Sequence, residues 1–156
     1  MDTTLLADEL SAAVRAFYDR YHDLDDAQAS IRPKDGGWSQ KEIIGHLIDS
    51  ASNNHQRFVR LQIQERLVFP DYGKDNVRWV AIEHFNELSF ADILTLWRYY
   101  NVLIENIMRN VDPAKLQNYW DRGDSRTSLL DLMNDYFDHL KKHLASFASI
   151  HEKAGS

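Results

Sequence analysis

The 156 residues contain no cysteine, which excludes disulfides, thiolate zinc sites and a cysteine nucleophile. Any metal must be held by His, Asp or Glu, and any thiol chemistry must use a thiol carried by a small molecule. With only 3 prolines and 6 glycines, little interrupts the chain, and long regular elements are expected. No run of about 18 apolar residues is present to cross a bilayer. The opening Met1-Asp-Thr-Thr-Leu-Leu-Ala-Asp-Glu lacks a basic stretch followed by an apolar one, so no signal peptide is expected and the cytoplasm is the default location. Positive charge is also in deficit: the net charge is −6, against the basic surface that nucleic-acid binding needs. The expected partner is a small molecule, with neither nucleic acid nor membrane.

What the chain does have is helical periodicity. Ser128 to Phe147 places Leu129, Leu132, Met133, Tyr136, Leu140, His143, Leu144 and Phe147 at three- and four-residue steps, one apolar helix face. His139 and His143 lie one turn apart on or beside that face, a spacing that lets two imidazoles reach one metal ion. Two histidines four apart also arise by chance, so the pair needs a third ligand.

Three further helices are expected. One covers about Thr4 to His22, with Leu6, Leu10, Ala13, Val14, Phe17 and Tyr21 on one side. The next starts at Ser39, where Ser39 and Glu42 form a capping box flanked by a Trp38–Ile43 staple, and runs to about Glu65. The third begins at Ser89, buries Ile93, Trp97, Tyr100, Ile104, Ile107 and Met108, and stops near Val111 before Pro113. A short helix around Val77 to His84 fits the long interval between them. No strand pattern competes, and Glu152 to Ser156 reads as a disordered tail. The expectation is a single all-α domain, a four-helix bundle whose long connections do not suit simple up-down-up-down order.

Among the other histidines, His22 ends the first helix, His151 is about 12 Å beyond His143 along the axis, and His84 sits by a connector. His46 and His55 are half a turn out of phase and cannot share one site. His46 lies among apolar residues, whereas His55 reads as surface. The stripe Asp49, Ser50, Asn53, Arg57, Arg60 beside His46 reads either as a pocket lining or as a solvated face. Asp49 is the candidate general base, ahead of Glu42 and Asp135 as a partner for the imidazoles. Arg57 is a candidate for binding an anionic substrate or cofactor, its alternative being an exposed ion pair.

Gly37-Trp-Ser-Gln-Lys-Glu-Ile-Ile-Gly-His-Leu-Ile-Asp-Ser resembles the Trp-Ser…Glu…His-Leu…Asp signature of the DinB-like superfamily, which includes the YfiT-type proteins. Asp135-Tyr-Phe-Asp-His-Leu-Lys-Lys-His-Leu resembles its C-terminal His-x-x-x-His motif. The resemblance spans about residues 5 to 150. It implies an up-down-down-up bundle and a divalent metal held by three histidines, which correspond to His46, His139 and His143. Three imidazoles leave a coordination position open, as in catalytic rather than closed sites, and suit zinc or nickel among others. Relatives that use low-molecular-weight thiols add S-transfer to hydrolysis as the implied chemistry. A non-catalytic, metal-stabilised binding or stress-response module and a metal-free bundle are the other expectations, and a homodimer through an apolar helix face fits bundles of this kind.

Overall fold

A computed structural model describes residues 2–154. Four long helices carry the fold: α1 (Thr3–Tyr21), α3 (Gln40–Arg60), α5 (Phe90–Arg109) and α6 (Leu129–Ala154), with short helices α2 (Asp26–Ala29) and α4 (Asn76–Glu83) in the connections. Their starts follow side-chain capping. Asp2 accepts from the Thr4 and Leu5 amides, and Ser39 and Glu42 complete the expected capping box. Ser89 accepts from Asp92 N–H at 3.1 Å and Ser128 from Asp131 N–H at 3.1 Å, so Ser128 is the residue that starts α6. Each cap satisfies amides that the helix cannot pair itself.

α1 packs on α5 and α6, and α3 packs on the same two helices. Chain-consecutive α1 and α3 therefore occupy opposite corners of the bundle, as do α5 and α6. Crossing a corner is what the long connectors are for. The centre is aromatic: Phe17 meets the Trp97 ring at 5.4 Å and the Phe147 ring at 4.8 Å, both edge-on. Buried Asn101 accepts a 2.6 Å hydrogen bond from the Tyr136 hydroxyl, tying α5 to α6 inside the core.

Three expectations need correcting. The chain is not purely helical. β1 (Arg66–Val68) pairs parallel with β2 (Tyr119–Asp121), which pairs antiparallel with β3 (Arg126–Ser128). α3 consequently ends at Arg60 instead of near Glu65, because the chain must extend to reach the sheet. The connector after α5 is largely a hairpin, turned at Gly123, whose φ of 88° favours a residue without Cβ. Finally, α6 continues to Ala154, so much of the expected disordered tail is helical; Gly155 and Ser156 lie outside the described residues. Among the described residues, no helix is long and apolar enough to cross a membrane.

Gly45 lets α3 approach the turn after α4. A Cβ there would come within 2.2 Å of a Phe85 ring carbon, and that ring is itself buried. Gly45→Ala is therefore expected to destabilise by about 1–3 kcal/mol through overpacking, although alanine is the better helix former by roughly 1 kcal/mol at an open site. A thermal melt showing equal or higher stability would remove Phe85 as the reason for glycine here.

Candidate metal centre

Burial of the α3 and α6 faces against each other brings His46, His139 and His143 together. Their ring centroids are 5.0 Å apart for His46 and His139, 4.6 Å for His46 and His143, and 4.5 Å for His139 and His143. One nitrogen from each lies within 4.8 Å of the others, and His46 Nε2 faces His139 Nε2 at 3.1 Å. Tetrahedral coordination with bonds of 2.0–2.1 Å puts ligand nitrogens about 3.3 Å apart, so the donor set fits a divalent ion after small ring rotations.

The electrostatics fit as well. Burial lowers the His46 pKa to about 3, helped by repulsion from His143 and His139. Burial likewise takes His139 down to about 4, with His143 and Lys142 adding to the effect. His143 is lowered by burial and then by Lys142. All three are thus neutral at neutral pH, the form that offers a lone pair to a metal. Among the described residues, buried His46 Nδ1 has no hydrogen-bond partner, and no carboxylate there orients that ring. Packing does: the Trp38 ring sits 4.7 Å from His46 and 6.3 Å from His143, and the Tyr72 ring lies 6.3 Å from His46.

A cavity of about 230 Å³ opens beside the cluster, lined by His46 and His139 together with Ser50, Asn54, Arg57, Tyr72, Trp120 and Asp135. Four of these recur along one face of α3. Burial pushes the Tyr72 hydroxyl up to about 12, against the effect of its hydrogen bond with Ser50. A larger and more apolar groove of about 1000 Å³ borders His143 and Trp38 on another side, with buried Gln40 at its wall.

The polar stripe on α3 divides. Ser50 and Arg57 line the cavity, Asp49 and Asn53 are buried away from it, and Arg60 is exposed and bonded to Gln56. Asp49 faces Glu83 of α4 instead, and burial followed by that neighbouring carboxyl raises its pKa to about 9. A protonated carboxyl outside the cavity does not supply a base to it. Arg57 is only 4% exposed, so the exposed ion pair does not form. Glu42 holds Arg32 through two hydrogen bonds of 2.9 and 2.8 Å while closing the capping box. Burial pushes its carboxyl up, but Arg32 and the Ser39 amide outweigh this and hold it low. Asp135 does reach the cavity, and burial followed by Asp131 and Asp138 raises its pKa.

The remaining histidines stand apart from the cluster. His22 caps α1 through the Tyr18 and Asp19 carbonyls, and His151 packs on Tyr21. His84 ends α4 in the left-handed conformation, exposed. His55 is half-buried against the Tyr100 hydroxyl at 3.0 Å. Sequence reasoning missed Tyr72, Trp120 and the part Trp38 plays beside the imidazoles. Only Trp38 carried a signal, as it falls eight residues before His46 next to a helix cap.

A four-helix bundle with three neutral imidazoles converging from two helices beside a small cavity defines a class of histidine-cluster bundle proteins. The chain belongs to the DinB superfamily, whose family model matches residues 9–147. It is similar to a "putative metal-dependent hydrolase" of Bacillus mycoides, with 23% identity over 95% of this chain and 80% of the relative. A protein of Oceanobacillus iheyensis with the same description is 26% identical over 82% of this chain and 73% of its own length. Among solved structures, YfiT from Bacillus subtilis superposes with a TM-score of 0.85 at 18% identity, covering 98% of this chain and 87% of YfiT. That protein is described as a probable metal-dependent hydrolase with an unusual four-helix bundle topology; at this identity the likeness shows the fold.

Proposed function

We propose that the protein is a metal-dependent hydrolase of small molecules, with zinc or nickel held by His46, His139 and His143. The observation that carries this reading is the convergence of three neutral imidazole nitrogens beside a cavity with room for a substrate. When bound, a divalent ion supplies Lewis acidity at that cavity, the property that makes a water acidic near neutral pH and polarises an oxygen. The chain's own contributions are distinct. Trp38 and Tyr72 hold the His46 ring in place, and the apolar surroundings keep all three imidazoles unprotonated. Asp135, one turn before His139 and on the cavity wall, takes the proton of the attacking water. The Tyr72 hydroxyl stays protonated across the physiological range and can donate to the substrate.

A second reading, S-transfer with a low-molecular-weight thiol, draws support from the groove of about 1000 Å³ beside His143, which could accommodate a cofactor of that size. The exposed Leu96, Tyr99, Val102 and Leu103 along α5 support a homodimer.

The deciding experiment assays the untagged full chain against small esters and amides, and against an electrophile with a thiol, before and after 1,10-phenanthroline. Hydrolysis that disappears with the metal and returns with zinc or nickel is the expected result. Metal removal should also lower the melting temperature. A free metal concentration one hundred times Kd stabilises by about 2.7 kcal/mol, which for a chain this size is roughly 5–10 °C. Stoichiometric metal and the full thermal shift with no turnover of either kind would favour a non-catalytic module instead.

A further inference from the structure

We infer that Arg57 is the anchor for a carboxylate, and that the substrate is a small monoanion carrying that group at a distance from the bond that reacts. Arg57 is 4% exposed yet lines the same cavity as His46 and His139. Among the described residues, no carboxylate forms an ion pair with it. Its Nη2 donates to the Pro70 carbonyl at 3.3 Å and its Nη1 to Asn54 Oδ1 at 3.5 Å, while buried Nε has no partner among the described residues. The acid nearest in charge, Asp71, is already engaged: it holds Arg122 at 2.7 Å and accepts from Gly73 N–H. A buried guanidinium with a free donor and no ion pair is costly, and an anionic ligand offsets that cost.

The geometry suits a carboxylate in particular. The guanidinium carbon sits 4.0 Å over the centre of the Trp120 ring, a contact that restricts its movement, and a guanidinium fork favours a planar two-oxygen acceptor. Asp71 pairs with Arg122, so Arg57 is the guanidinium of the cavity wall that has no ion pair, and the Asp135 carboxylate on the same wall repels a second negative charge, which matches a monoanion better than phosphate. His46, Ser50, Asn54 and Arg57 follow one face of α3 over about 16 Å of axis, and helical side chains lean toward the N-terminus, so the guanidinium reaches back toward the imidazoles. What the other end of the substrate meets rests on the metal reading above; the carboxylate contact does not.

The test follows the Arg57 Nε–H signal by ¹⁵N–¹H NMR in the full chain, with metal and after removal by the neutral chelator 1,10-phenanthroline. Its assignment comes from through-bond correlations to the Arg57 backbone in the unmodified protein, and loss of the signal in Arg57→Lys checks it. N-acetylglycinate is expected to shift it saturably in both forms, with a dissociation constant of the order of millimolar, and the neutral N-acetylglycinamide to leave it in place. Calorimetry should show at least a tenfold weaker dissociation constant for N-acetylglycinate in Arg57→Lys. Inorganic phosphate is expected to bind at least tenfold more weakly than N-acetylglycinate. No shift with N-acetylglycinate at ~100 mM, an equal shift with the amide, or phosphate binding as well would each overturn the assignment. A chain that holds no metal but still shows the carboxylate shift would sink the metal reading and sustain this one. The unmodified protein supplies the primary readout, so it stands even if the variant fails to fold.

Discussion

Replacing His139 by alanine is expected to leave the purified chain without its metal, while the helical content stays intact. Loss of a mere outer partner of a metal ligand weakens metal binding by 10–100-fold. Removing one of only three ligands should therefore weaken it by more than about 100-fold. His139 is only partly buried, and Leu132, Met133, Tyr136, Leu140 and Phe147 go on holding α6 in the core, so folding and metal binding separate cleanly. His143→Ala should behave alike, and His55→Ala, whose ring bonds Tyr100 instead, should keep full metal content. Elemental analysis of untagged protein checks all three. Full occupancy in both the His139 and His143 variants would mean that the metal, if bound, sits elsewhere.

Asp49→Asn should make the protein more stable at pH 8, by at least ~2 kcal/mol, with the gain shrinking toward nothing near pH 4. The sign follows from linkage. The folded-state pKa of Asp49 is raised to about 9 from an ordinary 3.8, so the folded protein holds a proton that the unfolded chain releases above pH 4. Stability from this group is complete below pH 4 and is lost as pH rises toward 9. An asparagine needs no proton, and its amide can donate to Glu83 at every pH. Urea melts of both proteins between pH 4 and 8 give the comparison. A gap that widens as pH falls would show that Asp49 is ionised and held by a positive partner. Metal content should be unchanged, since Asp49 does not line the cavity with the imidazoles.

Where helices were long, spacing and caps were sufficient to read them. The Ser39–Glu42 box and the Ser89 cap stand where the sequence puts them, because those hydrogen bonds are local. The sheet was not legible, since strands of three residues are too short for alternation to show. Leu67 and Trp120 are their buried positions, and they pair across more than fifty residues of chain. The His139–His143 pair was visible for the same local reason as the caps. His46 could be singled out by phase and surroundings, although only the packing of α3 on α6 shows the nitrogens meeting. Asp49 illustrates the reverse. One turn from His46 it looked like a helper, but its real neighbour is Glu83 from another helix, and nothing local to either residue announces that contact. Arg57 likewise depended on Trp120, sixty-three positions away and on a strand no pattern revealed.

The corner-to-corner order of the helices bears on how fast the protein reaches its native state. Of the three consecutive pairs of long helices, only α3 and α5 pack along an extended face; the other main contacts join α1 to α5, α3 to α6 and the first helix to the last. A helical hairpin formed early by α1 and α3, or by α5 and α6, would have to come apart. Chain loops of several dozen residues must close before most of the core is rewarded, and rates fall as such non-local contacts dominate. This bundle should fold more slowly than an up-and-down bundle of equal length and stability, its transition state waiting on the meeting of distant segments.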